Sequence, residues 1–434
     1  MSSSGIIVKP FRGYIPPADK MSDVIAPPYD VVTREEAAKM GKDRPNCVIH
    51  INRPEIAFPG VDATEECVYQ KGAENLQKWI KDQLLVRADK PGFYAYRAEL
   101  GGHSQTGLYA LVSCEQYEKG LIKKHEQTRK APEEDRTKTV KIQNANVGSV
   151  FLAYRGNNHT ELRDYVKKLT ERPADRAAHL DFDNTDHELW FVDDAEQVKK
   201  IEELFGQVPH LYIADGHHRA ASACNVWKEH KAAAGDKYTG NEPYCYFMAC
   251  IFSDDELCVI DYNRVIKQNK LSEEELFKKL EEHGFKLTQM TGEEKPHTPD
   301  FLPAHFARPT QHKVFSLYIH KKWYRMEFTA KALSESAADN IDSKILTDFC
   351  LTPIFGIHDL RNDPHIKFIG GTRGLQALEE AAKTDDCLAI AVPPVEMSQL
   401  FDVSDEGEMM PPKSTWFVPK LADAMVIRMI EGNE

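Results

Sequence analysis

The residues best suited to chemistry are consecutive: Asp215-Gly216-His217-His218-Arg219, at the end of the apolar run Leu211-Tyr212-Ile213-Ala214. Ala220, Ala223, Cys224 and Trp227 then fall at helical spacing, so the pattern predicts a strand, a tight turn and a helix. Such a turn puts Gly216 where the backbone comes close to a neighbour. It puts His217, His218 and Arg219 in a helical first turn, where backbone N–H groups and the helix dipole favour an anion. Arg219 adds a fork that grips phosphate or carboxylate through two hydrogen bonds. We read the stretch as an anion cradle, with nucleotide phosphate as the expected ligand. A surface turn with solvated histidines is the competing reading. The stretch is neither a Walker A loop nor a dinucleotide fingerprint, and neither pattern occurs elsewhere.

A second stretch, Lys123-Lys124-His125-Glu126-Gln127-Thr128-Arg129, runs on through Pro132 to Arg136. Basic neighbours hold a carboxylate charged, and Glu126 could then take a proton from a hydroxyl. Taken alone, the stretch reads better as a charged loop entering a solvated helix at Pro132. Pro27-Pro28-Tyr29-Asp30 reads better as a rigid connection than as a pocket wall. The glycine turn 370–374 reads better as a plain connection. The loop Met410-Pro411-Pro412-Lys413-Ser414-Thr415-Trp416-Phe417 carries a lysine and two hydroxyls able to close over phosphate, although an exposed loop is its simpler reading.

Other elements must position these groups. Capping boxes at Thr33/Glu36 and Ser272/Glu275 open helices that Gly41 and Gly284 can close. Residues 64–83 have an amphipathic pattern with Val68, Leu76, Trp79, Ile80 and Leu84 on one face. Strands are expected at 6–15 (breaking at Pro10), 48–51, 93–99, 108–114, 147–154, 187–192, 314–319, 323–328, 365–369 and 387–392. A hairpin is expected between Tyr244–Phe252 and Glu256–Tyr262. Helices are expected at 160–170, 195–206 and 375–382. Residues 285–311 are polar, proline-rich and aperiodic, and read as a linker or long loop.

Composition excludes several classes. The 434 residues allow two or three compact units. A net charge of −13 argues against a DNA- or membrane-gripping protein. The nine scattered cysteines contain no C-x-x-C pair, so reduced cytosolic thiols are expected rather than a zinc ribbon or disulfide framework, and no metal-ligand set is read. No apolar run reaches membrane-spanning length, and the first residues carry no secretory pattern. The expected setting is the cytoplasm.

The motifs Ala26-Pro27-Pro28-Tyr29-Asp30-Val31-Val32, His125-Glu126-Gln127-Thr128, Asp215-Gly216-His217-His218-Arg219 and Pro411-Pro412-Lys413-Ser414-Thr415-Trp416-Phe417 together resemble a widespread family still labelled a domain of unknown function. The pairing of a His-Glu stretch with a later Asp-Gly-His-His-Arg is distantly similar to the free serine kinases, which share the fold of ParB partition proteins and sulfiredoxin. That resemblance implies an α+β protein with a ParB/sulfiredoxin-like mixed-sheet core wrapped by N-terminal and C-terminal α/β extensions. The portions would be 1–115, a core at 116–268, a helix and hairpin with the proline-rich loop at 269–330, and a C-terminal α/β portion at 331–434. Glu126 would be the base. Gly216, His217, His218 and Arg219 would bind phosphate, Asp215 would orient a metal-bound or water-bound group, and His125, Thr128, Arg136, Lys413, Ser414 and Thr415 are further pocket candidates. Mg²⁺ with ATP or ADP would be required, and the partners would be a nucleotide and a small hydroxyl metabolite. Asp215 lies 89 positions after Glu126, farther than in those kinases, so an insertion near 155–208 must loop out. A nucleotide-gated switch without DNA binding and a non-catalytic binding protein are the alternatives.

Overall fold

The computed structural model describes residues 5–267, 270–291, 311–330 and 334–431. They form two compact units: the described residues of 1–123, 128–257 and 419–434 make the first, and residues 124–127 with the described residues of 258–418 make the second. The protein is a mixed α+β structure.

The first unit is built on a nine-stranded mixed sheet. Its strands are β1 (Val8–Lys9), β2 (Phe93–Leu100), β3 (His103–Ser113), β4 (Ile122–Lys123), β5 (Val150–Tyr154), β6 (Arg176–Leu180), β7 (Thr185–Val192), β8 (Leu211–Asp215) and β9 (Tyr246–Ser253). The order is β4-β8-β5-β9-β3-β2-β7-β6, with β1 also on β3. The sheet therefore runs without a break across residue 115. Strands β4/β8 and β5/β9 pair in parallel, and the other neighbours pair antiparallel. The β2–β3 turn places Gly101 and Gly102 at φ 58° and 90°, the left-handed pair that a two-residue hairpin of this twist requires. Every residue of β5 is buried, as expected of an interior strand covered on both faces.

Alternation along the strands divides the core. Val150, Leu152, Leu211, Ile213, Phe247, Ala249 and Ile251 pack with Ala220, Ala223, Cys224 and Trp227. Those four residues are among the buried residues of the 18-residue helix His217–Ala234. On the opposite face aromatic rings interlock: Phe151 with Phe252 at 4.8 Å and Tyr96 with Tyr109 at 5.3 Å. The helix Lys130–Gln143 also packs on His217–Ala234 and ends at Asn144, in the left-handed conformation at φ 52°.

The second unit carries a six-stranded antiparallel sheet and a smaller ladder. The ladder joins β10 (Cys258–Ile260) to β17 (Trp416–Val418). The sheet is formed by β11 (Tyr262–Ile266), β12 (Phe285–Gln289), β13 (Val314–Ile319), β14 (Lys322–Phe328), β15 (Ile366–Gly370) and β16 (Leu388–Ala391), in the order β12-β14-β13-β16-β11-β15.

Both capping boxes form with reciprocal bonds, and the helices at Glu66–Lys81, Thr160–Lys168, Ala195–Phe205 and Gly374–Ala381 match the periodicity. Four expectations are corrected. Residues 48–51 are not a strand, because Ile49–Asn52 is a helical turn with Ile49 and Ile51 both fully buried. A short apolar run buried on all sides has no period to distinguish the two. The Tyr244–Tyr262 hairpin does not form. β9 is already paired on both edges, with β3 and β5, so no edge remains for the returning chain. Gly41 does not end its helix, which runs to Asp43. Finally, Phe285–Gln289 is a strand registered against Tyr324–Phe328, while the proline-rich stretch 292–310 lies outside the described residues.

Candidate functional site

β8 leads straight into the helix His217–Ala234 through one residue, Gly216, at φ 91°. That conformation is routine for glycine and strained for residues with a Cβ. A Cβ there would meet only ordinary contacts at 3.5 Å, so conformation rather than crowding selects glycine. No side chain caps the helix. Asp215 closes the turn instead. One carboxylate oxygen accepts from the Gly216 N–H at 2.9 Å, and the other takes Lys420 Nζ at 2.7 Å.

The first-turn residues diverge around the helix. His217 is buried. His218 Nε2 accepts from the Arg129 N–H at 3.0 Å, and the His218 carbonyl receives the Ser222 hydroxyl at 2.6 Å. Nearby, Thr128 and Asn225 both donate to the Glu133 carboxylate. Burial raises the pKa of Glu133, but those two bonds together with His218 and Lys228 outweigh it and leave the carboxyl below its ordinary range.

Arg219 points into a polar cluster of the same unit. Its Nη1 donates to Ser149 O at 2.8 Å, and Nη2 lies 3.4 Å from Asp30 Oδ1. Asp423 Oδ1 is 3.7 Å from Nη1, and Asn52 donates to the other Asp423 oxygen at 2.7 Å. The Tyr29 ring lies 4.5 Å from the Arg136 guanidinium carbon and 5.2 Å from that of Arg219, within cation–π range. Backbone bonds between Ala26 and Asp423 bring the Pro-Pro-Tyr-Asp segment to this cluster. Gly148 permits the approach, since a Cβ there would sit 2.6 Å from Asp423 Oδ1. Tyr29, Asn52, Arg136, Gly148, Arg219 and Asp423 line part of a cavity of about 50 Å³, enough for a water or two and not for a nucleotide.

Burial sets the electrostatics here. It pushes the Tyr29 hydroxyl up to about 12, with Asp30 adding to the effect. It works against the charge on Arg219, but Asp423, Asp30, Tyr29 and Asp215 hold that guanidinium protonated. Asp423 responds in the opposite sense. Burial lifts its carboxyl to about 6, against the pull of Arg219. The pair is thus a fixed cation facing an acid that titrates near neutrality.

A pH dependence follows. The Asp423 carboxyl binds its proton more tightly folded, at about 6, than unfolded, at about 3.9. Its contribution to stability is complete below pH ~4 and is lost as pH rises to ~6, amounting to roughly 3 kcal/mol. Urea unfolding of wild type and Asp423→Asn between pH 4 and 7 should show the wild type losing about that much relative to the variant. A pH-independent difference between the two would mean that Asp423 does not titrate in this window.

The second unit holds the remaining candidates. Met410 N–H donates to the His125 carbonyl at 2.8 Å, and Arg361 Nη2 to the Gln127 carbonyl at 3.3 Å. His125 is buried and Glu126 half-buried. Lys413 is exposed and left-handed, at φ 62°. The Ser414 hydroxyl is buried, donating to the Pro411 carbonyl at 2.6 Å and lying 2.7 Å from the Ser343 hydroxyl. Thr415 is half-buried. The turn Gly371–Arg373 is a short 3-10 segment whose first N–H donates to the Asp261 carbonyl at 2.8 Å.

The first unit therefore gathers Thr128, Arg136 and Asp215–Arg219, and the second carries His125, Glu126, Lys413, Ser414 and Thr415. The sequence reading missed Lys420, Asn52 and Asp423. Asp423 had a signal: it is a lone acid within the apolar stretch Leu421–Ile427, where a buried charge needs a partner.

Fold and site together define an α+β protein with a strand–glycine–helix turn next to a half-buried arginine cluster. The model of a protein family of unknown function, DUF1015, matches residues 8–345, and the chain belongs to that family. No curated protein matches it. Among solved structures it is similar to a mutant free serine kinase in complex with AMP, at 14% identity and a TM-score of 0.36, covering 71% of this chain and 87% of that one. It is also similar to a conserved hypothetical protein from Pyrococcus furiosus (14%, 0.35, 73% and 93%) and to C-terminally truncated SbnI from Staphylococcus aureus (11%, 0.36, 73% and 86%).

Proposed function

We propose that the protein is a nucleotide-dependent phosphotransferase acting on a small hydroxyl-bearing metabolite, with a ParB/sulfiredoxin-like core at residues 116–268. The observation that carries this reading is the passage from β8 to an 18-residue helix through a single left-handed glycine, Gly216, with no side-chain cap. A helix start of this kind directs backbone N–H groups and a positive dipole end toward an anion. In this reading Gly216, His217 and His218 hold the phosphate. Arg219 contributes its fixed positive charge, since its Nη atoms are engaged with Ser149 and Asp30.

Phosphoryl transfer needs charge stabilisation and one group to orient the nucleophile. Glu126 has that second role: it takes the proton of the acceptor hydroxyl. Mg²⁺ bound with ATP or ADP would neutralise the phosphate oxygens. Asp215 would orient a metal-bound or water-bound group, its carboxylate standing at the turn and about one-third exposed. The formal charge of −13 accords with a small-molecule substrate rather than nucleic acid. The test is a calorimetric titration with Mg·ADP and Mg·ATP beside adenosine. Saturable binding of the nucleotides and none of adenosine is the expected result.

A further inference from the structure

Arg264 is a fully buried cation that the phosphotransferase reading leaves unused. It lies in the middle of β11, between Phe368 of β15 and Ile390 of β16, and its exposure is 0%. Its guanidinium carbon stands 5.2 Å from the Phe368 ring centroid. Nη1 donates to the backbone carbonyls of Tyr262 and, at 3.2 Å, Lys413. Nε and Nη2 have no hydrogen-bond partner among the described residues, and no described carboxylate forms an ion pair with the side chain. Burial pushes its pKa down to about 10, opposed by Tyr262.

This arrangement is costly for a cation. A buried charge without a partner destabilises a fold by several kcal/mol, and here carbonyls satisfy one nitrogen of three. The two remaining nitrogens are not a random pair. Nε–H and the adjacent Nη2–H form the side-on edge of the guanidinium, whose parallel donors match two oxygens of one carboxylate or phosphate. A second cation belongs to the same neighbourhood. Lys413 provides the carbonyl on Nη1, and its Nζ lies 5.5 Å from the Tyr262 ring centroid. We infer that Arg264, supported by Lys413, forms a small-oxyanion site in the second unit, with the anion bound side-on to Nε and Nη2. Arg264 itself has no part in the nucleotide reading, in which Lys413 is a pocket candidate. Entry requires the segment around Lys413 to shift. That residue is exposed and left-handed.

The test uses full-length protein labelled with ¹⁵N-arginine. The Arg264 Nε–Hε signal is assigned by its loss in Arg264→Lys, then followed during separate titrations with inorganic phosphate and acetate. A saturable shift is expected in at least one arm, and the responding arm distinguishes a phosphorylated ligand from a carboxylate. A signal that stays still in both arms overturns the inference. Thermal unfolding of Arg264→Met gives a second reading. Without added anion the variant should melt at or above the wild-type temperature, because an uncompensated charge has been removed, and the oxyanion-induced rise in Tm should be lost. A variant that melts well below wild type without anion would show that the guanidinium is satisfied within the fold, and would also overturn the inference.

Discussion

Glu126→Gln should slow phosphoryl transfer by about 10²–10⁴-fold, the usual contribution of a positioned general base, while nucleotide affinity stays near wild type. Glutamine keeps the size and the hydrogen-bonding reach of the side chain but cannot accept the acceptor's proton. The segment itself should remain in place, because the backbone carbonyls of His125 and Gln127 tie it to Met410 and Arg361, and neither bond involves the Glu126 side chain. The measurement is ³¹P NMR of product formation from Mg·ATP or Mg·ADP across a panel of hydroxyl compounds, paired with calorimetric nucleotide binding. Equal loss of binding and turnover would make Glu126 part of the nucleotide site. Unchanged turnover would remove it from the chemistry. Hydrolysis of nucleotide without any phosphorylated acceptor would favour the switch.

The second large effect concerns stability. Arg219→Met should destabilise the fold by about 3–5 kcal/mol near pH 8, the cost of leaving one member of a buried ion pair alone. The variant strands Asp423, which is 2% exposed, and removes the donor to Ser149 O. The loss should shrink toward pH 5, since the Asp423 carboxyl already lies at about 6 with Arg219 present and rises further once that cation is gone. Adding Asp423→Asn to Arg219→Met should recover part of the stability. Urea unfolding of the four proteins forms a double-mutant cycle. Additive effects would mean that the two side chains are not energetically coupled.

The turn at Gly216 was legible in the sequence because its signal is local. An apolar run, a glycine and a 3.6-residue stripe predict strand, turn and helix, and β8, Gly216 and His217–Ala234 follow in that order. The capping boxes were legible for the same reason. The surroundings of Arg219 were not, because they are assembled from residues far apart in the chain. Asp30, Ser149 and Asp423 meet at its side chain and Asn52 donates to Asp423, and sequence spacing says nothing about such a convergence. Tyr29 and Asp30 read as a rigid connection. Their backbone neighbour Ala26 does pair with a distant segment, at Asp423, and that pairing turns the connection into part of a charged cluster. The failed hairpin after Phe252 has a similar cause. Turn chemistry at Ser253-Asp254-Asp255 is local, but the two partners of β9 come from elsewhere in the chain.

The most direct measurement is the backbone amide spectrum of Gly216, His217 and His218 during titration with Mg·ADP, with adenosine as the control. Large, saturable shifts of these three amides are expected with the nucleotide and none with the nucleoside, because the phosphate is what the turn holds. Binding of Mg·ADP that leaves all three amides unmoved, or equal shifts with adenosine, would contradict a phosphate-holding turn.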